Sequence, residues 1–189
     1  IAEMSNHVLY TWRQTASNKN RGARITVSTS SFVPKPFTPF QWAPQDTEEQ
    51  LREKIAYLRD NIKGKSVSYS WHEPKVSKLE SVFARGDRKL GDVILLAWQR
   101  GCRFDGWDEQ MQYGVWKKTI NDLGLNFDFY ATRARGEDEI LPWDMIDIGV
   151  RKDYLLAGWH DALEGKAWPD CREKCANCGA RCLTDGVCN

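Results

Sequence analysis

At 189 residues the chain is long enough for one domain with a real core, or one domain with an appendage, and its 27 Lys and Arg against 26 Asp and Glu leave a formal charge of +1. That balance lacks the basic excess that marks many nucleic-acid binders, and leaves room for no more than a local basic patch. No apolar run approaches the ~20 residues that cross a bilayer, so a membrane-spanning helix is excluded, while nine Trp are a load that serves cores and binding surfaces alike.

Taken in chain order, residues 1 to about 18 predict a helix with Val8, Leu9 and Trp12 on one side, followed by a polar loop through Gly22. Residues 24–30 alternate, with Ile25, Val27 and Thr29 facing one way and small hydroxyl residues the other, which is the pattern of a strand. The loop from Ser31 to Trp42 holds Pro34, Pro36 and Pro39, whose fixed φ values predict a shaped, rigid connection. A helix is expected from about Asp46, with Glu49 three residues on as a capping-box-like start and Leu51, Ile55, Leu58 and Ile62 at helical spacing up to Gly64. A second alternating run over 66–71 leads into His72, Glu73 and Pro74. Strand, helix, strand predicts a βαβ unit with parallel strands.

Downstream the pattern turns helical, through Leu79, Val82 and Phe83, then Leu90 to Trp98, then Met111 to Leu123, and finally Tyr154 to Leu163. Phe127 to Tyr130 is expected to be extended, and Glu139 to Asp144 an ordered loop. Parallel sheets are buried on both faces and need neighbours at their edges, so two such strands lead to the expectation of further strands upstream. A chain opening on Ile1 rather than Met carries the same expectation, that of a longer protein with self-association through open sheet edges when the piece stands alone.

Five of the six cysteines crowd the last nineteen residues: Cys171, Cys175, Cys178, Cys182 and Cys188. Thiolates two or three residues apart can converge on a soft metal without a folded core to aim them, which makes zinc or an iron–sulfur cluster the leading reading. Disulfides, or an unligated redox-sensitive tail, are the competing ones. Cys171-x3-Cys175-x2-Cys178 also has the spacing of the radical S-adenosylmethionine cluster, but four thiolates close at hand would make a closed site with no open position, suiting a structural zinc or an auxiliary cluster.

The segment Ser28 to Trp42 resembles the stretch after a late barrel strand in radical S-adenosylmethionine enzymes. Ser70 to Lys75, Phe83 to Arg88, Gly101 to Trp107, Glu139 to Val150 and Pro169 to Cys178 look like the C-terminal region of the cobalamin-binding-domain-containing members of that family. The resemblance implies an α/β fold: the C-terminal part of a partial (β/α) barrel over 1–75, a helical extension over 76–168 and a Cys-rich metal-binding tail over 169–189. It implies a cytoplasmic protein in which S-adenosylmethionine, with or without cobalamin, binds only together with an N-terminal part of the same protein. The catalytic cluster motif would lie in that part, leaving the present chain inactive alone. Active sites of such barrels lie at the C-terminal ends of strands. That places Ser30, Ser31, Phe32 and Pro34 as cofactor-binding candidates and His72 and Glu73 as catalytic ones, His72 as substrate contact or proton shuttle. For His72 a structural hydrogen bond, and for Glu73 a solvent-facing position or a pairing with Lys75, are the plain alternatives. A different function class is a non-catalytic module presenting a zinc knuckle to a protein or RNA, and the near-neutral charge counts against RNA.

Overall fold

The computed structural model describes residues 1–18, 22–107 and 109–180. The protein is α/β, with seven α-helices and one two-stranded parallel sheet among the described residues. None of these helices is long and apolar enough to cross a membrane. The chain divides into two compact units, the first built from Ile1–Phe32 with Asp46–Lys78, the second from Val33–Gln45 with Leu79 onward.

In the first unit α1 (Ala2–Thr15) precedes β1 (Ile25–Thr29), α2 (Glu48–Asn61) and β2 (Val67–Trp71). The strands pair in parallel, Ile25 opposite Val67 through Thr29 opposite Trp71, as the intervening helix requires. Ile25, Val27, Thr29, Val67 and Tyr69 are half-buried, and Thr26, Ser28, Ser68 and Ser70 are exposed, so period-two alternation decides which face is covered. The open face is a patch of small hydroxyls, with Ser68 Oγ donating to Thr26 Oγ1 at 3.2 Å. Neither outer edge of the ribbon has a partner strand among the described residues.

Helix α2 starts one residue later than the sequence pattern suggests. Thr47, not Asp46, is the N-cap, and it makes a full capping box with Gln50. Asp46 is thereby released to pair with Lys54 at 2.5 Å. At the other end Asn6 of α1 holds the exit of α2, donating to Asn61 O and accepting from Lys63 N, each at 3.3 Å. Gly64 follows at φ +115°, and a Cβ there would stand 3.3 Å from Leu9, so glycine serves both the turn and the packing.

The second unit has two cores. The first joins Leu79 and Val82 of α3 (Pro74–Arg85), Val93 and Ala97 of α4 (Leu90–Gln99), Trp116 and Ile120 of α5 (Tyr113–Asp122) and Tyr130 and Ala131 of α6 (Phe127–Ala131). Helix α6 replaces the extended stretch expected at Phe127–Tyr130, because Asn126 caps it, its side chain accepting from Asp128 N and Phe129 N. The ends of α3 and α6 are secured by two buried arginines. Arg85 donates to Ala131 O at 2.7 Å and Arg133 O at 3.0 Å, while Arg135 donates to Arg85 O at 2.7 Å. Arg85 thus covers the last carbonyl of α6, and Arg135 the last carbonyl of α3, places where cations are favoured. Burial, with Arg135 and Arg133 nearby, still lowers the pKa of Arg85 to about 10, which leaves it charged at neutral pH.

The second core packs Trp42, Leu141 and Trp143 against Leu155 of α7 (Lys152–Leu163). The proline-rich loop from Val33 belongs here and not with β1 and α2, which flank it in sequence, because its 3-10 turn (Pro39–Trp42) buries Gln41 and Trp42 against that core. Gln41 Oε1 accepts from Trp143 Nε1 at 2.8 Å and from Phe37 N at 3.1 Å, and Trp42 O accepts from Arg135 N at 3.0 Å. Pro39 meets Gly158 of α7, where a Cβ would stand 3.1 Å from its ring.

A candidate ligand pocket at the strand ends and a docked cysteine tail

The first unit contains a cavity of about 230 Å³ at the C-terminal ends of β1 and β2. Ser30, Ser31 and Phe32 reach it because β1 ends at Thr29, and His72 because β2 ends at Trp71. His72 N donates to Thr29 O at 3.1 Å, extending the ladder by one step and fixing where its imidazole leaves the sheet. One wall is aromatic: Tyr69 and Trp71, two apart on β2, have ring centroids 5.2 Å apart, and the Tyr69 hydroxyl lies 2.9 Å from Thr29 Oγ1. Leu51, Ile55 and Leu58 of α2 supply the aliphatic wall, and the Lys54–Asp46 ion pair stands on the rim.

Four of the six residues singled out from the sequence as cofactor-binding or catalytic candidates therefore meet in one place, and two do not. Glu73 pairs with Arg52 at 2.7 Å, and its carbonyl accepts from Val76 N and Ser77 N at the start of α3, where Pro74 occupies the position that needs no N–H. Its carboxylate belongs to an ion-pair chain with Arg52 and Glu48. Pro34 is fully buried in the second unit. Lys54, Tyr69 and Trp71 line the cavity as well. Lys54 stands at the helical spacing of Leu51, Ile55 and Leu58, so the same stripe contained it, and Trp71 immediately precedes His72 on the strand.

No protein-family model, curated protein or solved structure matches this chain. Its chemistry is read from these residues. A slot with aromatic and aliphatic walls and two hydroxyls and an imidazole at one end suits a small flat molecule with a polar edge. A second cavity, about 250 Å³ and confined to the second unit, is lined by Phe37, Gln41, Asp144 and Ile148. Cys102 is no nucleophile candidate, because burial, with Asp105 adding to it, pushes its thiol pKa up.

Of the tail thiols, Cys171 and Cys175 are exposed and Cys178 is half-buried, while Cys182 and Cys188 lie outside the described residues. Among the described residues no three Cys, His, Asp or Glu side chains form a group that could hold a metal. Burial and, after it, the thiols of Cys178, Cys171 and Cys175 raise the pKa of the Tyr154 phenol. The tail is not a free appendage. Cys178 O accepts from Arg151 N at 2.8 Å, and Trp168 packs edge-on against Tyr154 with ring centroids 4.7 Å apart.

Proposed function

We propose that this chain is the C-terminal portion of a radical S-adenosylmethionine enzyme, in which the βαβ unit closes a partial (β/α) barrel and contributes one wall of the cofactor pocket. The observation that carries this reading is the cavity at the C-terminal ends of two parallel strands, the place where α/β enzymes bind their ligands. The open hydroxyl face and the strand edges left unpaired among the described residues support it, because a parallel ribbon needs further strands. In this assignment Trp71 and Phe32 flank a flat ring, Ser30 and Ser31 meet its polar edge, and His72 holds or moves a proton beside it. Glu73 keeps Arg52 in place and takes no part in the chemistry. The radical-forming cluster would be supplied by the rest of the protein, so the chain alone is not catalytic. The cysteine tail would hold zinc or an auxiliary iron–sulfur cluster.

Titration of the longer protein that this reading implies with S-adenosylmethionine, followed through Trp fluorescence, tests the pocket. A saturable change that weakens at least tenfold in Trp71→Ala and in Ser31→Leu is the expected result. A wild-type protein that shows no saturable response at millimolar ligand removes the reading. The tail is tested separately by anaerobic purification, where visible absorption marks iron and sulfur and a colourless protein with one equivalent of zinc marks a structural site.

A further inference from the structure

The second cavity, of about 250 Å³, lies wholly within the second unit, between the proline-rich turn and the loop that enters α7. The buried polar side chain on its wall is Gln41, which is 2% exposed. Gln41 Oε1 accepts from Trp143 Nε1 at 2.8 Å and from Phe37 N at 3.1 Å. Both partners can only donate, so the amide cannot be turned over, and both acceptor sites of Oε1 are used. Nε2 is therefore the end left to the cavity, and no hydrogen bond reaches it among the described residues. A buried donor without a partner costs free energy, a cost that an incoming acceptor relieves. Asp144 supplies the complementary group. It directly follows Trp143, and its Oδ2 accepts from Leu141 N at 3.0 Å and from Lys152 Nζ at 2.8 Å. Those bonds hold the carboxylate at the cavity, and Oδ1 has no partner among the described residues. Lys152 already balances the charge of Asp144, so this end of the cavity suits an N–H donor more than a cation, while Asp147 beside it repels anions.

We propose that this cavity binds a small molecule through a primary carboxamide, whose oxygen accepts from Gln41 Nε2 and whose N–H donates to Asp144 Oδ1, with its apolar remainder against Phe37, Ile148 and Leu155. The proposal is independent of the reading of the strand-end pocket, because none of its residues belongs to the first unit. A primary carboxamide carries an acceptor and a donor side by side and no charge, so it satisfies both protein groups at once. A carboxylate would set a second anion against Asp144 and Asp147, an amidinium would point N–H groups at Gln41 Nε2, and a ketone would leave Asp144 without a donor. A site built to hydrogen-bond a ligand group rejects analogues that lack it, because its buried groups are then left unpaired. The donor is also fixed before the ligand arrives. Phe37 stands at φ +59°, uncommon for an aromatic residue, and its N–H is tied to the same Oε1 that turns Nε2 toward the cavity.

The full chain is titrated with benzamide and followed through the side-chain NH2 signal of Gln41 and the indole N–H signal of Trp143. Saturable movement of both at millimolar ligand is expected, with benzoate, benzamidine and acetophenone each about tenfold weaker or more. Asp144→Asn is expected to weaken benzamide by about tenfold and to narrow its preference over benzoate, a change of selectivity that a merely structural role would not produce. Gln41→Glu keeps the Oε1 acceptor, removes the donor and is expected to abolish binding. Where that variant fails to fold, the series of analogues on the wild-type chain decides. Benzamidine or acetophenone binding as tightly as benzamide overturns the carboxamide assignment, as does an Asp144→Asn chain that keeps the wild-type preference. No saturable movement of either signal at millimolar benzamide overturns the site itself.

Discussion

The two units handle burial in opposite ways. In the first, the buried aliphatic residues are Ala2, Leu9 and Leu51, one face of the sheet is bare hydroxyl, and a cavity lies at the strand ends. In the second, four helices close on Val82, Val93 and Ile120, each fully buried, and two arginines secure the helix ends between them. The difference is one of burial: the first unit is left open at its strand ends, and the second derives its stability from its own packing. Regions with few buried apolar contacts open locally at lower free energy, so exchange of the β1 and β2 amides should be faster than that of α4 and α5.

Substitutions sharpen the contrast. Trp42→Ala removes an almost fully buried indole from the second core and should cost about 3–5 kcal/mol by urea denaturation. An effect below about 1 kcal/mol would mean that the proline-rich loop is not part of that core. Arg85→Met leaves the carbonyls of Ala131 and Arg133 without their donor and should cost about 2–4 kcal/mol.

Acid titration should come next in size. Hydrogen bonding to Arg133 holds Glu139 well below the usual 4.5, at about 2. Because the folded value lies below the unfolded one, its stabilisation is complete above about pH 4.5 and is lost as pH falls through about 2. With solvent screening discounted it is worth about 1–3 kcal/mol, and Glu139→Gln should remove that part of the acid sensitivity in urea midpoints taken at pH 7 and pH 3. Smallest of all, Lys54→Met at the exposed rim of the first unit should change stability by less than about 1 kcal/mol. A larger loss would show that the ion pair braces the unit and does not merely edge the cavity.

Much of the first unit was legible in the sequence because each strand is five residues of strict alternation and α2 carries an unbroken apolar stripe. Ser30, Ser31, Phe32 and His72 follow directly from where those strands end. Pro34 and Glu73 did not follow. Pro34 goes with Trp42, whose partners Leu141 and Trp143 are about a hundred residues away, and no local pattern announces such a contact. Glu73 follows a strand end in sequence, but its partner Arg52 lies on α2, within the crossover. Short α6 was hidden for a different reason: aromatic residues favour strands by propensity, and the cap at Asn126 overrides that preference.

The central claim is that the open unit, not the packed one, binds the ligand. Amide chemical shifts of this chain, recorded within the longer protein that the proposed function implies while S-adenosylmethionine is added, test it most directly. The account predicts saturable shifts at Ser30, Ser31, Phe32, Tyr69 and His72, with Gln41, Met145 and Ile148 around the second cavity unmoved. Shifts confined to the second cavity, or none at millimolar ligand, would contradict it.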